Sequence, residues 1–228
     1  DAVVAAANVA SAVPIVGVAM SGPIGPGVVG ILGSLGDNVT ALSLMTPGIG
    51  AKRVSILRQI NPKADRIGIM FDPRTAAAQS SMNEMVTTGQ KLDVKISPIE
   101  VRTQEQLEAK IEGAVANGVS GLYFVSNPIF TNNITRIAEA SLKNKLPAIF
   151  DFAEFATAGG LASYGPNLTA SYRRSAFHVD RILKGGKPAD VPLEQPRALE
   201  MVINKKSAAA LGLTVPAELL AEATKVIE

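Results

Sequence analysis

Arg66–Phe71, which reads RIGIMF, carries one basic residue at its start and no polar side chain after it. A strand with one wet face would alternate apolar and polar residues, so a run apolar at successive positions must be covered on both faces. Pro14–Ala19 (PIVGVA), Gly121–Val125 (GLYFV), Pro147–Phe150 (PAIF) and Leu161–Tyr164 (LASY) share this character. Between them lie stretches with helical spacing. In Glu105–Val115 the apolar Leu107, Ile111 and Ala114/Val115 recur three to four residues apart, and Val54–Ile60, Ile134–Leu142 and Tyr172–Leu183 behave likewise. Doubly covered strands alternating with amphipathic helices specify an α/β fold, doubly wound around a parallel sheet.

Boundaries follow from the same local chemistry. Asn61-Pro62-Lys63 ends a helix before a strand, because the residue preceding proline resists the helical region. Gly165-Pro166-Asn167 ends the strand 161–164, and Asn167 is placed to cap the next helix. The run 184–190 (KGGKPAD) stops that helix, and Val191–Pro196 continues as extended chain.

Composition narrows the chemistry. The 228 residues are 47% hydrophobic and 18% charged, with 22 Lys+Arg against 20 Asp+Glu and a net charge of +2. That balance carries no electrostatic footprint for nucleic acid or an anionic membrane. Cysteine is absent and there is one histidine, which removes thiolate zinc sites, iron–sulfur clusters and cysteine nucleophiles. No apolar run approaches the ~20 residues of a membrane-spanning helix, and residues 1–13 lack the charged n-region of a signal peptide.

Several motifs are better read structurally. The stretch 25–30 (GPGVVG) fits G-x-G-x-x-G after an expected strand, but no acidic residue follows ~20 positions on, as a dinucleotide site requires. His178 and Asp180 do not share a helix face, so the histidine reads as structural or surface-lying, and Arg173-Arg174 as a solvated helix face. Asn38, Asn133 and Asn167 each begin an N-x-T triplet and read as turn and cap residues. Phe150, Phe152 and Phe155 crowd one short segment; they either fill a core or present rings at a strand's carboxyl end.

Polar groups at strand carboxyl ends form the candidate site. They are Met20-Ser21-Gly22, Ser43, Asp72, Ser126-Asn127, Asp151-Phe152 with Glu154, and Ser163-Tyr164. In open parallel sheets, ligands bind outside that edge. Hydroxyls, an amide, carboxylates and rings suit a small zwitterion or other polar solute. No base stands against a nucleophile in any recognisable pattern, so the chain reads as a binder without catalysis, metal or cofactor.

The stretch 146–150 (LPAIF), followed by Glu154-Phe155, 158–161 (AGGL) and Ser163-Tyr164-Gly165, resembles the ABC-transporter substrate-binding proteins. The particular group is the one that includes aromatic-amino-acid binders. Pro14-Ile15-Val16, 36–40 (GDNVT), Lys52-Arg53, 179–185 (VDRILKG) with 187–190 (KPAD), Val202-Ile203-Asn204 and Leu211-Gly212-Leu213 agree with it in order, along essentially the whole chain. The resemblance implies a type I periplasmic-binding fold, with two doubly wound lobes, parallel sheets and a small solute clamped in the cleft. It places residues 1–63 and 166–195 in lobe one, 64–165 in lobe two, and 196–228 in a crossing segment with terminal helices. The strand ends after Val18, Leu42, Phe71, Val125, Phe150 and Ser163 would line the cleft.

On that reading Asp151 or Glu154 takes a cationic group of the solute, while Ser21, Ser126 and Ser163 with backbone amides take an anionic one. Phe152 and Tyr164 shield or stack on its body. The implied partners are a small-molecule solute and a membrane permease, without nucleic acid, for a monomer in the periplasm or outside the cell, where a lipid anchor is compatible. Two features depart from the family. Its signal peptide and first β-α-β unit, which precede the region matching Asp1–Ala19, have no counterpart here. Ser21-Gly22-Pro23 also stands where an acidic residue is common. The alternatives are a sugar- or nucleotide-processing α/β enzyme and the effector domain of a transcription regulator.

Overall fold

In the computed structural model, residues 2–9, 12–20, 37–44, 48–196 and 198–228 are described. The chain divides into two compact units, Asp1–Pro47 with Pro166–Ala198, and Gly48–Gly165 with Leu199–Glu228. The expected division at residue 63 differs from this. Helix Ile49–Ile60 belongs to the second unit, because Val54, Ile56, Leu57 and Ile60 are buried in one core with Ile67 and Ile69. Pro62 therefore marks a helix-to-strand turn inside a unit and not its border. The terminal stretch from Leu199, expected as a crossing segment, also joins the second unit.

In the first unit, β1 (Ile15–Met20) and β2 (Val39–Ser43) pair in parallel, with Ile15 opposite Val39 and Met20 opposite Ser43. Glu194 extends the pairing through a parallel bridge to Leu42. Helix Ala2–Val9 contributes Ala7 to a small core with Val39 and Ala41. Helix Leu168–Leu183 packs on both strands and begins as its sequence demands, with Asn167 Oδ1 accepting the Ala170 N–H at 2.8 Å. Ser21, Gly22 and the glycine motif at 25–30 lie outside the described residues.

The second unit is built on a seven-stranded sheet. Its strands are β3 (Arg66–Phe71), β4 (Lys95–Glu100), β5 (Gly121–Phe124), β6 (Ala148–Phe150), β7 (Ala162–Pro166), β8 (Leu199–Asn204) and β9 (Lys225–Ile227), in the order β4-β3-β5-β6-β7-β8-β9. The pairs β3–β4, β3–β5, β5–β6, β6–β7 and β8–β9 are parallel. Successive side chains point to opposite faces, and in β3, β5, β6 and β7 both faces are largely buried. Ile67, Ile69, Tyr123, Val125 and Ile149 join the core under helix Ile49–Ile60 and under Met82 and Met85 of helix Ala76–Leu92. Opposite them, Phe124 and Phe150 meet edge to face at 6.0 Å, and Phe130, Phe152 and Phe155 complete a ring cluster. The crowded phenylalanines thus fill a core.

β4 escapes the sequence reading because KISPIE has charged ends and a proline. Its edge position tolerates Pro98, since one side of an edge strand needs no N–H. Its placement has a consequence for binding. The chain leaves β3 to one side to form β4 and then returns past it to form β5 on the other. Such a reversal opens a crevice outside the carboxyl ends of the two diverging strands, here β3 and β5.

Candidate functional site

At the carboxyl end of β3, Asp72 is 6% exposed and is engaged by Arg74. Nε of Arg74 donates to Oδ1 at 2.9 Å, Nη2 to Oδ2 at 2.8 Å, and the Arg74 backbone N–H to Oδ1 at 3.0 Å. These bonds hold the Asp72 carboxyl below its ordinary range. Nη2 also donates to the carbonyl of Arg102, just past β4, at 2.7 Å. Thr75 then caps helix Ala76–Leu92, its hydroxyl accepting from the Ala78 N–H.

At the end of β5, Asn127 is buried and caps the short helix Pro128–Thr131, with Oδ1 accepting from the Ile129 N–H at 2.6 Å. Half-buried Ser126 hydrogen-bonds the Asp151 carboxylate. Asp151, at the end of β6, lies 2.9 Å from Nη1 of Arg53, itself 3% exposed. Arg53 also donates from Nη1 to the Tyr123 hydroxyl at 2.8 Å and from Nε to the Tyr164 carbonyl at 2.7 Å. Burial raises Asp151 above the ordinary carboxylate value, opposed by Arg53 and the Ser126 hydroxyl. Burial pushes the Tyr123 phenol up to about 12. A side chain at Gly165 would place Cβ 2.2 Å from the Asp151 carbonyl oxygen, so glycine is required where β7 passes Asp151.

The expected site residues therefore sort unevenly. Asp72, Ser126, Asn127 and Asp151 do stand just past the carboxyl ends of β3, β5 and β6. Tyr164, expected at a strand end, lies in the middle of β7, which runs on to Pro166, and packs against the core of the second unit. However, Asp72 and Asp151 are already paired with arginines, so neither is an open partner for a solute cation. Phe152 is 4% exposed and packs on Phe150 at 5.7 Å, which makes it core and not a stacking surface. Ser163 is fully buried on the ring-lined face, and its hydroxyl has no partner among the described residues. Glu154 is exposed and lines a surface depression of about 290 Å³ with Ala153, Thr157 and Ala158. In the first unit, the backbones of Met20 and Ser43 are register partners at the ends of β1 and β2.

Arg53, Arg74 and Tyr123 went unidentified as site residues from sequence. For Arg53 a signal existed: it sits on the stripe Ile49, Arg53, Ile56, Ile60, where a charge on the core side demands a buried counter-ion. Of the structural and surface roles expected for His178, the fold shows the structural one: it is fully buried, with Nδ1 3.4 Å from the Thr40 hydroxyl and Nε2 3.6 Å from Glu194. Arg174, expected as solvated, instead forms a two-bond pair with Glu194. Among the described residues no group of three or more His, Asp or Glu could hold a metal ion, and no helix is long and apolar enough to cross a membrane.

The whole arrangement has known relatives. A Clostridioides difficile (strain R20291) tyrosine-binding protein is 21% identical over 209 residues, which are 92% of this chain and 60% of that protein. The chain thus spans about 60% of that curated relative's length. A conserved domain protein from Vibrio cholerae superposes with TM-score 0.84 and 26% identity, over 97% of this chain and 75% of the other. An ABC domain from Streptococcus pneumoniae in complex with L-Trp gives TM-score 0.84 and 25% identity, over 98% and 76%. These folds are type I periplasmic-binding folds, in line with the parallel α/β sheet. The model of the family described as ABC transporter substrate binding protein matches residues 2–227, and the chain belongs to that family.

Proposed function

We propose that this chain captures a small polar solute, an amino acid or small carboxylate, and delivers it to the membrane permease of an ABC importer. It acts by binding without turnover, as a monomer, in the periplasm or at the cell exterior. The observation that carries this reading is the convergence of polar groups at the carboxyl ends of β3, β5 and β6, in a chain matched by a solute-binding family along its length. Ser126, whose O–H is spent on Asp151 but whose oxygen can still accept, and Tyr164, within β7, are the expected residues kept as contacts. Glu154 is the acidic residue open to a solute ammonium, since Asp72 and Asp151 are neutralised internally. Ser21, Gly22, Met20 and Ser43 remain proposed contacts of the first unit.

The names of the relatives support beginning with aromatic amino acids. Isothermal titration against the common L-amino acids and a set of small carboxylates tests the reading. Saturable one-site binding of at least one, with the solute recovered unchanged, is expected. Absence of binding across the panel, or conversion of the bound compound, would overturn it.

A further inference from the structure

Arg74 differs from Arg53, Arg102 and Arg136 of the second unit; Arg136, clamped by Glu108 in a similar way, spends its Nη1 on Asn133. Arg53 is buried and spent on internal partners, and Arg102 is a surface residue paired with Glu100. Arg74 is held like a buried group, yet 57% of its side chain is exposed. Its guanidinium has five N–H donors. Nε and one Nη2 donor are fixed by Asp72, and Nη2 also serves the Arg102 carbonyl. Nη1 has no acceptor among the described residues. Asp72, 6% exposed, forms the back wall of this clamp. The result is a cation with one edge bolted to the protein and one edge turned outward. It stands at the carboxyl end of β3, where the sheet order reverses, beside the Thr75-capped start of a 17-residue helix.

An exposed ion pair alone would be unremarkable, because surface pairs contribute little and flexible side chains lose entropy on binding. Here the entropy of fixing the guanidinium is already spent in the fold. With Nε and Nη2 spent, Nη1 still offers charge-assisted N–H···O bonds to an incoming carboxylate from a fixed position. We propose that Arg74 is a ligand-binding residue that receives the solute's carboxylate on its outward Nη1 edge. The inference rests on the solute-receptor reading above and deepens it: it makes the solute a carboxylate and makes Asp72 the positioning residue behind Arg74.

The test compares each carboxylate that binds in the titration panel with its carboxamide, on wild type, Arg74→Gln and Arg74→Lys. Circular dichroism confirms folding of each variant. Wild type should prefer the carboxylate about tenfold to a hundredfold, the range for a hydrogen bond to a charged group. Arg74→Gln should erase most of that preference while leaving carboxamide affinity within about threefold, a change of well under 1 kcal/mol. A preference that survives in folded Arg74→Gln, or is absent from wild type, overturns the role of Arg74 but leaves the receptor reading standing. Silence of wild type across the panel removes both. If Arg74→Gln fails to fold, Arg74→Lys decides. It keeps a charge beside Asp72 but loses the fork, so it should weaken the carboxylate and spare the carboxamide; equal loss for both overturns the proposal.

Discussion

Replacing Arg53 with methionine should cost the second unit much of its stability, by an amount the geometry dictates. Methionine fills similar volume on the Ile49–Ile60 stripe, so the loss is electrostatic and not a cavity. Asp151 stays behind at 8% exposure with its 2.9 Å counter-ion gone, and the Tyr123 hydroxyl and Tyr164 carbonyl each lose a donor. Breaking a buried pair from one side costs about 3–5 kcal/mol. At a urea m-value of about 2 kcal/mol/M, that moves the unfolding midpoint down by roughly 2 M.

The loss also has a pH signature. Burial already raises Asp151, and without Arg53 only the Ser126 hydroxyl opposes that rise. The variant's folded-state pKa then lies above the unfolded value near 3.9, so the penalty grows as pH rises from there, by up to about 1.4 kcal/mol per unit. Urea melts followed by far-ultraviolet circular dichroism between pH 4.5 and 8 should show the deficit shrinking toward the acid end. Arg53→Met combined with Asp151→Leu removes both charges and should recover most of the loss. A deficit below about 1 kcal/mol at neutral pH would refute the reasoning. So would a deficit flat across the pH range, or a double variant no better than Arg53→Met.

Three further outcomes follow from particular contacts. Gly165→Ala drives a Cβ to 2.2 Å from the Asp151 carbonyl oxygen, a backbone atom with little room to yield, and should cost about 1–3 kcal/mol or more in thermal unfolding; a variant melting like wild type would be inconsistent with that packing. Asn167→Ala removes the acceptor for the Ala170 N–H and should lower stability by about 1 kcal/mol in denaturant titration of the first unit. His178 is fully buried and its pKa is lowered, chiefly by desolvation, with Glu194 opposing and Arg174 reinforcing. Its contribution is therefore intact above the unfolded value near 6.5 and is lost as pH falls below it, at up to about 1.4 kcal/mol per unit. His178→Gln should flatten the stability profile between pH 7 and 5, and an unchanged slope would assign that acid sensitivity elsewhere.

What could be read from residues alone depended on how far apart the interacting groups lie in the chain. β3 was legible because its signal is local: six residues with no wet face. The Asn167 cap was legible because donor and acceptor are three residues apart. β4 was obscured because its identity comes from pairing with β3, which lets an edge strand carry Pro98 and charged ends. The candidate site divides along the same line. Strand ends placed Asp72, Ser126 and Asp151 at the carboxyl edge of the sheet, since a parallel sheet fixes where its carboxyl ends emerge. Their availability was not legible. Asp151 is neutralised by a residue 98 positions earlier in sequence, and that pairing exists only once helix Ile49–Ile60 packs across β5 and β6.

A carboxylate at a strand end is therefore weak grounds for expecting a cationic ligand until the nearby helices are searched for inward-facing arginines. At this edge the search reverses the expected polarity. Both buried acids, Asp72 and Asp151, are consumed by arginines, while Arg74 keeps an outward-facing donor edge. On the proposed reading, a solute approaching the ends of β3 and β5 would meet the oriented guanidinium of Arg74, a group that favours its anionic end. Recognition of an ammonium must then come from exposed acids such as Glu154 or from neutral carbonyls. The carboxylate would set whether a solute binds at this edge, and its side chain would adjust how tightly.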